Sequence, residues 1–141
     1  MAFKAGKDAW FALDNVAGSL TNLSHYTDNV EHPQSVEQLE VSVLGTTSKA
    51  FITGLTDGDT ISISGPYDVT MYTHLTALKA AQAAGSSTAT YTYGPGGSVA
   101  AQAKISCETY VASVSVSSGV GGRSELSASL QVTGAVTNST W

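Results

Sequence analysis

The chain of 141 residues holds 19 Ser, 17 Thr and 14 Gly but only 17 charged residues, about half the charged share of an ordinary globular domain. A hydrophobic fraction of 42% excludes a disordered chain, and the length fits one domain able to bury roughly two-thirds of its unfolded surface. The net charge is −5, and the six basic residues (Lys4, Lys7, Lys49, Lys79, Lys104 and Arg123) are scattered singly, which argues against a protein that grips nucleic acid through clustered cations. Apolar runs are a few residues long, short of the ~20 that cross a bilayer. Cys107 has no second cysteine to pair with, and no apolar leader precedes the first strand, so synthesis inside the cell is expected.

Taken in chain order, residues 10–14 form the first predicted strand, and a weak helical signal follows over 19–26. A strand over 36–44 is expected to point Leu39, Val41 and Val43 inward. Asp57-Gly58 is a tight-turn signal, and pairing across it sets Thr56 against Asp59, Gly54 against Ile61 and Ile52 against Ile63. Residues 69–84 read as the one helix, with Met71, Leu75, Leu78 and Gln82 on one stripe, Asp68 as N-cap and Gly85 as the stop. A strand over 89–93 is expected to point Thr90 and Thr92 outward.

The strongest alternation comes last. Leu126, Ala128, Leu130 and Val132 alternate with Glu125, Ser127, Ser129, Gln131 and Thr133, and upstream Tyr110, Ala112, Val114 and Val116 alternate with serines. A turn at Gly119, Gly121 and Gly122 makes these a hairpin, and the register Val114 to Leu126, Ala112 to Ala128 and Tyr110 to Leu130 keeps apolar against apolar. The apolar phase slips to Cys107 and Ile105 further upstream, which places a β-bulge near residues 109–111. The fold class that follows is mainly β: an antiparallel β-sandwich or small barrel of about six to eight strands with one flanking α-helix at about 69–84.

A search for chemistry nominates no catalytic, cofactor-binding or metal-binding residue. The sequence holds no Gly-x-Ser-x-Gly elbow, no His-Glu-x-x-His helix and no phosphate loop ending in Gly-Lys-Ser/Thr. The glycines of 94–97 and 119–122 read as turns. His25, Asp28, Glu31 and His32 are four possible ligands in eight residues, but period-two geometry puts Asp28 and His32 on one face and His25 and Glu31 on the other. Asp57 and Asp59 are too few oxygens for calcium. His74 reads as a boundary residue of the helix, and Cys107 as a small core residue. What stands out instead is long strands with Ser/Thr faces and edges that lack Lys or Pro, with Lys104 and Arg123 only at the ends of the hairpin. Edge-to-edge pairing with copies of itself is the natural outcome. The rival is a monomeric sandwich that is simply solvated.

Four stretches, in order, resemble the tail tube (major tail) proteins of long-tailed bacteriophages. They are LEVSVLGTTSKAFITGLTDGDTISISGPYD (39–68), the helix 71–84 with His74 and Leu75, YTYGPGGS (91–98) with Thr92 where the family often has an acid, and LSASLQVTGAVTNSTW (126–141). The resemblance implies a single domain over 1–141, with an N-terminal arm 1–8 and a C-terminal tail 134–141 in contacts between subunits. It implies hexameric rings stacked into a hollow tube that conducts double-stranded DNA into the host without binding it. It implies no enzymatic activity and no cofactor, assembly in the host bacterial cytoplasm, residence in the virion tail, and tape-measure, tail-terminator and baseplate proteins as partners.

On that resemblance the alternation assigns Ser113, Ser115, Glu125, Ser127, Ser129 and Gln131 to the lumen, with an outer solvated face as the alternative for the same residues. By position, Gly45, Thr46, Thr47, Ser48 and Lys49 match the family's ring-stacking loop, helped by an exposed Trp141 as anchor. The alternatives to a phage tube are the tube of a contractile injection or secretion machine, and a carbohydrate-binding or capsid-decoration sandwich.

Overall fold

Alternating apolar and hydroxyl residues drive most of the chain into antiparallel strands. The computed structural model describes residues 4–141 apart from Thr46, Gly58 and Ser86. The strands are β1 (Trp10–Asp14), β2 (Leu20–Asn22), β3 (Asn29–Glu31), β4 (Ser35–Glu40), β5 (Phe51–Asp57), β6 (Thr60–Pro66), β7 (Ala89–Gly94), β8 (Ala103–Ser117) and β9 (Glu125–Thr140), with one α-helix, α1 (Val69–Ala83). Seven strands make one sheet in the order β2-β1-β7-β8-β9-β6-β3, while β4 and β5 pair with each other apart from it. This is the expected fold class, mainly antiparallel β with one helix.

α1 forms where its stripe demands. Asp68 accepts a hydrogen bond from the Thr70 backbone N–H at 2.8 Å, and Gly85 just past the end has φ +97°, a conformation that favours glycine. Met71, Leu75 and Leu78 are buried and lay the helix on one face of the large sheet. They meet Phe11, Leu13, Tyr91, Ile61, Ile63 and Leu130 in one core. Leu23 joins the same core where β2 leads into a short 3-10 turn (Ser24–Tyr26), which connects the sheet's two edge strands. The weak helical signal over 19–26 is thus half strand and half turn. At Gly65 on β6 a Cβ would collide with the Tyr26 carbonyl oxygen, so this close approach needs glycine.

The structure corrects the pairing expected across Asp57-Gly58. β6 pairs with β9 on one side, Ile61 opposite Leu130 and Ile63 opposite Ala128, and with β3 on the other. β5 pairs with β4 instead. Ile61 and Ile63 are at most 2% exposed, and burying each contributes about 1.5–3 kcal/mol, so long-range burial overrides the local turn signal. Gly58 itself lies outside the described residues.

The β8–β9 hairpin is present, two residues out of the expected register. Val116 stands opposite Leu126 and Val114 opposite Ala128; then Ala112 is extra, and Val111 stands opposite Leu130. The bulge therefore falls just beyond the expected 109–111. Tyr110, expected inward, points to the other face, and Val111 takes its place in the core at 7% exposure. The helix secures the irregular point: Gln82 accepts from the Val111 N–H at 2.8 Å and donates to the Thr109 carbonyl at 3.3 Å. That explains why a polar residue sits on the buried stripe of α1. The segment 134–141, expected as a tail, is the second half of β9 up to Thr140, after a bend at Gly134 with φ +80°.

Candidate functional site: a hydroxyl face and an uncovered arm

Once α1 and the core occupy one face of the seven-stranded sheet, the alternate residues have only the opposite face. Cross-strand pairing lines up Ser62, Ser129 and Ser113 in one row and Ser64, Ser127 and Ser115 in the next. Glu125 and Gln131 extend the same face along β9. The structure thus brings all six of Ser113, Ser115, Glu125, Ser127, Ser129 and Gln131 onto one surface. It adds Tyr110 opposite Gln131, together with Ser62 and Ser64. The Ile61/Ser62/Ile63/Ser64 alternation signals the two serines in the sequence, whereas Tyr110 depends on the bulge and has no such signal.

The face is held by its own polar contacts. Thr60 donates to Gln131 Oε1 at 3.2 Å, and Thr88 and Thr90 donate to the two carboxylate oxygens of Glu108 at 3.0 and 2.9 Å. Arg123 sits at one rim, where it pairs with Asp28 at 2.6 Å and Glu125 at 3.1 Å. At the other end the Lys104 ammonium lies 4.9 Å over the Trp141 ring. The serine rows between them, 62–64, 113–115 and 127–129, contain no charge. Thr90 lies on this side as expected. Thr92 does too, paired with Ala12 and Ser106, yet it is 3% exposed rather than solvated.

The second surface is the β4–β5 hairpin with its connecting loop, an arm projecting from the sheet. At its base Gln34 and Asn138 exchange side-chain hydrogen bonds of 3.3 and 3.0 Å. Beyond that, apolar side chains stand in solvent. Leu39 and Val41 are each 42% exposed and Val43 is 70% exposed, which corrects the expectation that they point inward. Leu55 and Leu44 are 82% and 103% exposed. A monomer has no reason to present such residues together. Gly45, Thr47, Ser48 and Lys49 occupy the loop of this arm, and Thr46 lies outside the described residues. These four residues therefore lie at the end of the β4–β5 hairpin.

Trp141 is placed otherwise than expected. It meets Trp10 edge to face at 4.9 Å, and its indole N–H donates to the Ala103 carbonyl at 3.1 Å. With Lys104 above it, the ring fastens the end of β9 to its own subunit and is not a free anchor.

The titratable candidates go to separate tasks. Asp28 pairs with Arg123, and His25 lies in the 3-10 turn. His32 stands edge to face with Tyr91 at 5.3 Å, and burial lowers its pKa against the opposing charge of Asp59. His74 meets the Asp14 carbonyl at 3.0 Å, and burial likewise lowers its pKa. Burial pushes the Cys107 thiol up to about 11, which keeps it protonated and inert at neutral pH. Among the described residues, no three His, Cys, Asp or Glu side chains stand close enough to hold a metal ion.

No protein-family model matches the chain, and no curated protein matches it. Solved structures do, over nearly its whole length. The fold is one shared by chains of phage-type tails and of contractile injection systems. A chain from the tail of an empty gene transfer agent (GTA) particle, refined with C6 symmetry, superposes with a TM-score of 0.75 at 14% identity, covering 98% of this chain and 100% of that one. The SPP1 tail tube gives 0.71 at 17% identity, covering 99% and 80%. The sheath–tube complex of the PVC extracellular contractile injection system gives 0.69 at 8%, covering 99% and 93%. At these identities the likeness is one of fold, and the expected resemblance to tail tube proteins holds at that level.

Proposed function

We propose that copies of this chain assemble into stacked rings forming the hollow tail tube of a bacteriophage-like particle, through which double-stranded DNA passes. The observation that carries this is the match of fold over the whole chain to chains of tails, one of them the SPP1 tail tube. The C6 symmetry of the gene transfer agent tail supports rings of six. The two surfaces fit the reading. The arm exposes apolar residues that a neighbouring copy would cover, and the loop at its end would touch the next ring. The hydroxyl face has the chemistry of a conduit, since DNA carries a phosphate charge every ~1.7 Å of axis and a cationic lining would hold it back. Ser113, Ser115, Glu125, Ser127, Ser129 and Gln131 would line that lumen.

The chain acts structurally and not as an enzyme on this reading, with the tape-measure, terminator and baseplate proteins of the tail as its partners. It would be made in the host cytoplasm and end in the virion tail. The inner tube of a contractile injection machine is a second reading, favoured by the likeness to the PVC sheath–tube complex. Negative-stain electron microscopy of the purified chain at rising concentration tests both. Rings or striated tubes with a central hole are expected, and a chain that stays monomeric at every concentration would overturn them.

A further inference from the structure

The arm joins the sheet at two crossings. The chain enters it through His32, Pro33 and Gln34, between the end of β3 at Glu31 and the start of β4 at Ser35, and leaves it at Asp57, the end of β5, just before Asp59 and β6. His32 and Asp59 stand at these two crossings, close enough for the Asp59 carboxylate to act on the His32 ring. The Asp59 crossing is tied to β9, since its carbonyl accepts from the Val132 N–H at 3.2 Å and from the Gln131 side chain at 3.3 Å. At the other crossing the Gln34–Asn138 pair is exposed, and His32 reaches inward.

The His32 ring stands on Tyr91 at 5.3 Å with an interplanar angle of 82°. Tyr91 is fully buried in the core, where it also meets Phe11 at 5.5 Å. Both nitrogens of the His32 ring and the Tyr91 hydroxyl are buried, and among the described residues none of the three has a hydrogen-bond partner. Such a slot suits a neutral imidazole. An imidazolium carries two N–H donors, and burying a charged group without an acceptor is costly. The groups around it offer no acceptor charge inside the slot. Burial holds Tyr91, Tyr93 and Cys107 protonated, and Glu31 lies opposite Ser62 on the hydroxyl face. Burial disfavours the charged ring more than Asp59, acting from the second crossing, favours it.

We propose that His32 is an acid-released latch: its neutral ring seats the root of the arm on Tyr91, and proton uptake expels the ring toward Asp59 and water and unseats the arm. Pro33 favours extended backbone at His32 and stiffens the link to Ser35, so a displacement of the ring is passed on to β4. A local change of charge thus biases an element with two positions. Resting on the tube reading, the seated arm is the form that associates. Association through the arm is then full while His32 is neutral, and is lost as the pH falls through the folded-state value, which burial sets below 6.5.

An NMR titration of the full single chain from pH 8 downward tests the latch. The His32 ring is expected to titrate with a midpoint below 6.5, and the backbone amides of Ser35, Val36, Asp57 and Asp59 to shift with that same midpoint, while those of Ile63 and Leu130 stay still. His32→Phe keeps an aromatic ring on Tyr91 with nothing to titrate, and is expected to abolish the shared shift. His74→Gln, a change in α1, is expected to preserve it. Arm amides that stay still while His32 titrates, or that move with the same midpoint in His32→Phe, overturn the latch. Tubes formed at pH 7.5 and brought about one pH unit below the His32 midpoint are expected to dissociate, and His32→Phe tubes to persist. Equal persistence of the two overturns the control of association and leaves the tube reading standing. A chain that forms no tubes at pH 7.5 overturns the tube reading, and the titration of the single chain still decides the latch.

Discussion

The seven-stranded sheet and the arm are built from the same kinds of residue and meet opposite fates. In the sheet, Ile61 and Ile63 of β6 and Leu126, Ala128, Leu130 and Val132 of β9 join one core with α1, and Ile61, Leu75 and Leu130 are fully buried. In the arm, Leu39, Phe51 and Leu55 are divided between the two faces of the hairpin and remain 42–82% exposed. The difference is one of coverage. The sheet is completed by its own helix, so it is stable alone. On the proposed reading the arm is covered by another copy, so assembly would supply what folding leaves undone.

The largest effect that sharpens this contrast falls in the sheet. Leu75→Ala removes a fully buried side chain beneath α1 and is expected to cost about 3–4 kcal/mol, read as a lower midpoint in denaturant titration. Next comes the bulge: Gln82→Ala strips the Val111 N–H and the Thr109 carbonyl of their partner and is expected to cost about 1–2 kcal/mol by the same titration. Leu55→Ser in the arm should change the stability of the isolated chain by no more than about 0.5 kcal/mol, while sedimentation shows assembly lost. If Leu55→Ser destabilised the monomer as much as Leu75→Ala does, the two regions would not differ in the way described.

Much of the sheet is legible in the sequence because each strand has one wet face. Leu126, Ala128, Leu130 and Val132 declare their side without help, and Asp68 and Gly85 bracket α1 through local chemistry alone. Register is not legible in the same way. Shifting β8 by two residues against β9 still sets apolar against apolar, and the choice is made by Ala112, a small residue with no pattern of its own, and by Gln82 from a distant helix. The hydroxyl face is legible on β8 and β9, since a two-residue shift preserves faces, and so its four serines there, with Glu125 and Gln131, come together despite the wrong partners. The arm is not. Leu39, Val41 and Val43 read as an inward strand because alternation tells which residues share a side but not which molecule covers it. Trp141 misled for the converse reason: a terminal aromatic looks free until Trp10 and Lys104 are seen around it.

The smallest effect concerns pH. His32 and His74 both have pKa values lowered by burial in the folded chain, so the unfolded chain binds protons more readily once the pH falls below about 6.5. Stability is therefore full above that value and declines below it, down to the folded pKa. The thermal midpoint is expected to drop between pH 7 and pH 5. The drop should shrink in His74→Gln, whose amide can still donate to the Asp14 carbonyl.

On the proposed reading the sheet is finished in the single chain and the arm is finished by its neighbours. Backbone hydrogen exchange, followed residue by residue before and after assembly, tests it most directly. Slow exchange is expected in β6, β9 and residues 103–111 of β8 in both states, and fast exchange in β4 and β5 in the single chain that becomes slow in the assembled tube. Arm amides already as protected as those of β9 in the single chain, or still fast in the tube, would contradict it.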